Sequence, residues 1–370
     1  MRKIMSVVVL GLLMACGQKA EKKETGQPME TEPATTEWLT FKGDNAQGKK
    51  VVLISGDEEY RSEEALTQLA KILSSHYGFQ CTVLYAQDPE KPGIINPNFK
   101  THIPNLESLE KADLMVLFTR FRALPNSEMH YIDDYLKQGK PVVGIRTATH
   151  AFNFGKDSLT DYGHYGNGYK GDITEWKDGF GRLVLGEKWH THHGHHKHQS
   201  TRGILPGDKS AITQGIGNGE IWGSTDVYGV RLPLPGDSKA VVLGQVINRE
   251  GDFMEDDIFY GMKSTDAEVA EVNNKGQRVN DTLMPIAWTK SYQLPGGKKG
   301  KAFTSTIGSS SDLLNEGVRR LLINGAFWVM GMPIPEKSNV DLVGDYNPSA
   351  YGFKPNEFWT NKQLQVTDLK

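Results

Sequence analysis

Apolar positions along this chain follow two rhythms. Lys49 to Ser55 (K-K-V-V-L-I-S) is an almost unbroken apolar run that flows into Gly56-Asp57-Glu58-Glu59-Tyr60-Arg61. From Ser62 the spacing becomes helical, with Leu66, Leu69, Ala70, Leu73 and Tyr77 on one face. Strands over Phe79 to Ala86, Asp113 to Phe118 and Pro141 to Ile145, with a helix over Ser127 to Lys137, continue the alternation. Nearly continuous apolar strands separated by helices are what a sheet covered on both faces requires. The pattern predicts an α/β fold on a doubly wound, mainly parallel sheet with loop insertions.

The second half is less regular. Asn153 to Arg202 is rich in Gly, Tyr, Trp and His without periodicity and reads as elaborated loops. Strands resume at Ala240 to Ile247 and Pro285 to Thr289, separated by an acidic stretch, Asn248 to Asp281, expected to be an insertion or a lid. A last strand at Lys301 to Thr306 and a helix over Asp312 to Met330, with Leu314, Val318, Leu321 and Leu322 on its apolar face, close the domain. The tail from Pro333, with residues 347–370 set apart from a domain over 38–346, is expected to wrap it as extended chain.

The N-terminus is patterned differently. Arg2 and Lys3 precede an apolar stretch, Ile4 to Met14, that ends in Leu13-Met14-Ala15-Cys16. This predicts a bacterial lipoprotein signal over residues 1–15, with small Ala15 before the cleaved bond and Cys16 as the lipidated thiol; the stretch is short for a membrane span. Residues 16–37 hold Lys, Glu, Thr and Pro and read as a tether of roughly 25 Å reach. The localisation this implies is the cell envelope, periplasmic or at the surface, with membrane contact through the lipid alone. Cys81 then has no intramolecular partner, and its alternation with Phe79, Val83 and Tyr85 marks it as a buried strand residue.

With 42 basic and 45 acidic residues the 370-residue chain carries a net charge of −3, and no Lys/Arg-dense stripe suggests a nucleic-acid partner. No G-x-G-x-x-G follows a strand, so no nucleotide cofactor is expected.

In an open α/β sheet, ligands bind beyond the carboxyl ends of the strands. That rule gathers Asp57, Glu58, Glu59 and Arg61 after the first strand, Arg120 and Arg122 after Phe118, and Arg146, Thr147 and His150 after Ile145. Crowded carboxylates raise one another's pKa, as suits a general acid or base at Asp57 or Glu58; the helix that follows equally favours acidic residues at its start. Arg120, Arg122 and Arg146 could clamp hydroxyls or an enolate oxygen, or simply neutralise Asp57 and Glu58, and Arg61, a further substrate-binding candidate, could equally pair with the carboxylates. His150 could be a base or a buried hydrogen-bonder. His190, His192, His193, His195, His196 and His198 crowd one loop. Of these, His192, His193, His195 and His196 are the candidate ligands for a divalent metal (Zn, Ni, Fe or Mn), completed by a carboxylate such as Asp226, with Gly194 letting the pairs converge. The plain alternative is a polar loop that binds no metal. Trp222, Asp226 and Tyr228 combine aromatic faces with a carboxylate, as sugar recognition requires, whereas Trp288 sits in a strand pattern and reads as core.

Taken together these blocks resemble the ThuA-like family, named for trehalose utilisation and related in fold to the flavodoxin-like class I glutamine amidotransferases. The resemblance is carried by G-D-E-E-Y-R-S-E-E-A-L from Gly56, F-T-R-F-R from Phe118, G-I-R-T-A-T-H-A-F from Gly144 and H-H-G-H-H from His192. I-W-G-S-T-D-V-Y-G-V-R-L-P from Ile221, A-W-T-K from Ala287 and D-L-L-N-E-G-V-R-R-L-L from Asp312 extend it, so that it spans about Lys49 to Tyr346. Where the amidotransferase strand presents a nucleophilic cysteine, this chain has Arg146. A guanidinium is no nucleophile, and no G-x-S-x-G elbow replaces it.

The resemblance implies sugar utilisation. The absence of a nucleophile points to acid–base lyase, hydrolase or isomerase chemistry on a glucoside, a disaccharide or its 3-keto derivative, with His193, His195 or Glu58 as base and Arg146 or a metal at the developing oxyanion. Sugar-oxidising enzymes are then the expected pathway partners. A noncatalytic sugar-binding lipoprotein is the reading from another class.

Overall fold

The computed structural model describes residues 35–43, 48–155, 158–208 and 210–370. The lipoprotein signal, Cys16 and nearly all of the tether lie outside the described residues. Ten strands form one sheet: β1 (Trp38–Lys42), β2 (Lys50–Gly56), β3 (Gln80–Tyr85), β4 (Leu114–Thr119), β5 (Val142–Ile145), β6 (Gln199–Ile204), β7 (Trp222–Gly223), β8 (Lys239–Asn248), β9 (Met284–Gln293) and β10 (Lys299–Ser305). Their order is β1-β3-β2-β4-β5-β10-β9-β8-β6-β7. The helices are α1 (Ser62–Tyr77), α2 (Asn126–Lys137), α3 (Glu316–Val329) and α4 (Asn356–Lys362).

The α/β character holds, but the sheet is mixed rather than mainly parallel. β3, β2, β4, β5 and β10 run parallel to their neighbours, whereas β1 and the whole wing from β9 to β7 pair antiparallel. Apolar runs report that a strand is covered, not which way its neighbour points. The sequence pattern also passed over β6, whose Gln-Ser-Thr-Arg-Gly-Ile is too polar to read as a strand until β8 pairs with it.

Alternation within the parallel strands sends side chains to two separate cores. Val51, Leu53, Val83, Val116 and Phe303 face α1 and α3, while Val52, Ile54, Leu84, Met115 and Leu117 face α2 and the turns around it. α1 ends where the periodicity says it should: Gly78 adopts φ 70° and its N–H returns to the carbonyls of Leu73 and Ser74. α3 lies so close on β10 that a Cβ at Gly325 would stand 2.2 Å from the Phe303 ring.

The acidic stretch between β8 and β9 is an irregular layer tied down by hydrogen bonds, Asn273 Nδ2 to His193 O and Arg202 Nη2 to Asp266 O among them. The tail, expected as extended chain, instead folds into α4 and a final helical turn, and its strap at Tyr351 and Gly352 crosses the strand-end loops, where Gly352 N–H donates to Glu59 O. Among the described residues no helix is long and apolar enough to cross a membrane.

Candidate functional site

The loop after β2 is built on Asp57. Its Oδ1 accepts the backbone N–H groups of Glu59 (2.8 Å) and Tyr60, and its Oδ2 accepts the Thr147 hydroxyl at 2.6 Å. Burial, with the neighbouring charge of Glu58, pushes its carboxyl up to about 6. Asp57 is fully buried and shapes the loop that carries Glu58, Glu59 and Tyr60. Glu58 is clamped by guanidiniums, Arg120 Nη1 at 2.5 Å and Arg122 Nη2 at 2.7 Å, with Lys100 Nζ at 3.3 Å. Arg120 and Arg122 thus pair with Glu58, whereas Arg146 pairs with Asp226.

At the end of β5, Arg146 adopts a left-handed backbone, φ 47°. Its fully buried side chain donates to the carbonyls of Asp226 (2.8 Å) and Thr306 (2.6 Å), to the Tyr60 hydroxyl (3.1 Å) and to Asp226 Oδ1 (2.9 Å). Its guanidinium lies over the rings of Tyr228 (3.8 Å) and Tyr60 (4.5 Å). Arg146 is thus a buried counter-charge that fixes Asp226, not a group free to reach an oxyanion.

Asp226 is the junction. Oδ2 takes a hydrogen bond from His192 Nδ1 at 2.8 Å and Oδ1 one from His196 Nδ1 at 3.1 Å. The other nitrogen of His196, Nε2, faces Glu59 Oε1 at 3.2 Å. With a carboxylate oxygen at each nitrogen, both must carry hydrogen, so the ring is an imidazolium. Burial opposes that charge, but the hydrogen bonds to Asp226 and Glu59 prevail and hold its pKa up at about 9. Burial would likewise raise Asp226, yet the Arg146 guanidinium and the two imidazoles hold it far below the usual carboxylate range.

Candidate ligand atoms of His192, His196 and Asp226 lie within 4.8 Å of one another. Two imidazoles and a carboxylate form the donor set of open zinc sites and of 2-His-1-carboxylate iron sites. The side chains of His192 and His196 are 36% and 26% exposed while Asp226 is buried, so the cluster opens to solvent on its imidazole side. The residues therefore fit a divalent cation that displaces the proton of His196. Trp189 and Tyr351 flank the rings, 5.7 Å from His192 and 5.4 Å from His196.

Other expected site residues go elsewhere. His193 lies outside the cluster, its Nε2 meeting Val279 O at 2.6 Å. His195 stacks on His198 at 4.1 Å, outside the cluster. His150 is buried beside Phe121 and Trp189, and burial with the nearby Arg120 and Arg146 charges pushes its pKa well down, leaving a neutral ring. Arg61 points behind the loop, holding the carbonyls of Glu58 and Gly352 and lying over Trp359. Arg122 is sealed against Pro97 O and Phe99 O. Trp222 donates to Ser200 Oγ, in another part of the sheet. Tyr228 and Arg120 do stay at the site, the first beneath His192 and the second at its edge, 3.9 Å from Glu59 Oε2. Cys81 is buried and, among the described residues, unpaired. Glu59 was expected among the strand-end carboxylates but without a role of its own, and Tyr60 and Tyr351 were not expected at the site; G-D-E-E-Y contained the signal for Tyr60, and nothing local marks Tyr351.

No family model matches the chain, and no curated protein matches it significantly. Among solved structures, a protein from Parabacteroides merdae ATCC 43184 described as thua-like aligns with a TM-score of 0.43 and 15% identity, over 84% of this chain and 99% of its own. Another so described, from Bacteroides uniformis ATCC 8492, aligns with a TM-score of 0.38 and 14% identity, over 78% and 94%.

Proposed function

We propose that the chain is a ThuA-like, lipid-anchored envelope protein that processes a small carbohydrate by acid–base chemistry around a divalent cation held by His192, His196 and Asp226. The observation that supports it best is the convergence of two half-exposed imidazoles on one buried carboxylate, with Glu59 opposite. A bound cation would supply Lewis acidity toward a developing oxyanion.

The base role moves from His193, His195 and Glu58 to Glu59, whose carboxylate lies opposite the cluster, 3.2 Å from His196 Nε2. On a 3-keto glucoside the ketone acidifies the C2 proton. Glu59 takes that proton, the electron pair forms the C1–C2 double bond, the C1–O bond breaks, and the departing oxygen collects a proton from solvent or a ring N–H. Arg120, at the edge of the cluster and over Phe121 and Phe353, would meet sugar hydroxyls in this reading.

Metal analysis of the purified protein, together with incubation with 3-keto glucosides, tests this reading. A stoichiometric ion and release of the aglycone, both lost in His192→Ala/His196→Ala, are expected. Sugar binding without turnover and without an ion would instead establish a noncatalytic binding protein.

A further inference from the structure

Trp222, expected at the substrate site, lines something else. Two hollows of about 430 Å³ and about 530 Å³ share Trp222, Ser264 and Asn315 in their walls and so form one groove beside the start of α3. Each falls in the range of small-molecule sites, roughly 300–1,000 Å³. The smaller hollow is walled by Phe259, Met262 and Leu314, with Trp222 and Phe259 meeting edge to face at 5.2 Å. Because the indole N–H is already satisfied by Ser200, Trp222 presents an apolar surface that needs no polar partner.

Charge sets the other half of the match. Lys263 borders the apolar hollow, and Arg320 and Lys337 border the second one. The carboxylates there are engaged: Glu316 accepts from Arg320, and Glu220 Oε2 accepts Gly217 N–H at 2.6 Å. Lys263 and Lys337 are exposed, and among the described residues neither ammonium pairs with a carboxylate. The groove thus joins an aromatic-walled hollow to two uncommitted cations.

We propose that this groove binds a small amphipathic anion, its apolar body against Trp222, Phe259 and Leu314 and its acid group at Lys263 or Lys337. None of its lining residues belongs to the His192–Asp226–His196 cluster.

Two dyes with the same ring framework test this on the full chain: 8-anilinonaphthalene-1-sulfonate, an anion, and neutral N-phenyl-1-naphthylamine, each followed by its emission. Saturable one-to-one binding of the sulfonate, tighter than that of the neutral dye, is expected. Lys263→Glu/Lys337→Glu should weaken the sulfonate by about tenfold or more and leave the neutral dye within about twofold. Leu314→Trp, which fills the hollow, should weaken both, and His192→Ala/His196→Ala neither. Native near-ultraviolet circular dichroism in each variant shows that the dyes report on a folded chain. Equal affinity for both dyes, an unaffected charge-reversal variant, loss of binding in the histidine variant or no saturable site would each overturn the proposal.

Discussion

Arg146 and Asp226 form an ion pair, Nη2 to Oδ1 at 2.9 Å, in which neither side chain is exposed. Taking both charges from water is costly, and the pair persists because each end is finished by other partners: Thr306 O and Tyr60 for the guanidinium, His192 and His196 for the carboxylate. The same pair that stabilises the loop junction also fixes the carboxylate on which both imidazoles converge.

Removing both partners should therefore cost less than the two single removals added together. Asp226→Asn leaves a buried guanidinium uncompensated and is expected to cost about 3–5 kcal/mol. Arg146→Met/Asp226→Asn should cost less than the sum of its single changes. Urea unfolding of the three variants measures this, and strict additivity would contradict the coupling.

His196 predicts a pH dependence of opposite sign with and without cation. Its pKa of about 9 in the fold exceeds the ordinary 6.5, so its stabilisation is complete below 6.5 and is lost as pH rises through 9. The loss is on the order of 2–3 kcal/mol. Thermal melts of metal-free protein should fall over that window, and His196→Gln should flatten the fall. A divalent cation needs the deprotonated ring, so added Zn²⁺ should stabilise more at pH 9 than at pH 6.

Glu63 adds a second slope. It is fully buried in α1, neither carboxylate oxygen has a hydrogen-bond partner among the described residues, and burial raises it to about 7 against the pull of Arg61 at 3.9 Å. A raised carboxyl stabilises below its unfolded value near 4.5, and that contribution disappears as pH climbs through 7. Glu63→Gln should accordingly stabilise the protein at pH 8 by about 1–3 kcal/mol and change little at pH 4. Denaturation at the two pH values checks it.

Gly325→Ala tests the contact of α3 with β10. The added methyl would meet Phe303 at 2.2 Å, so the ring must move within a closed core. A loss of about 1–3 kcal/mol is expected despite alanine's better helix propensity. A gain in melting temperature would mean the helix can slide.

The parallel strands and α1 to α3 were legible from the chain alone because burial leaves its mark locally: two-residue alternation, helical spacing, a glycine where a helix must stop. The clustering of Asp57, Glu58, Arg120, Arg122 and Arg146 at the strand ends was legible for the same reason, since a strand's carboxyl end follows from its direction. Their roles were not. Whether Glu58 is a free base or a clamped ion depends on Arg120 and Arg122, more than sixty residues away, and whether His193 or His196 meets Asp226 depends on which way a short loop turns. Six histidines in one stretch gave the elements of a centre; the pairing of the loop with Val227 and Tyr228, and a tail strap laid over Glu59, decided which two of them share a carboxylate. Local periodicity is written by burial, but charge partners are assigned by the packing of distant segments, and only the folded chain brings those together.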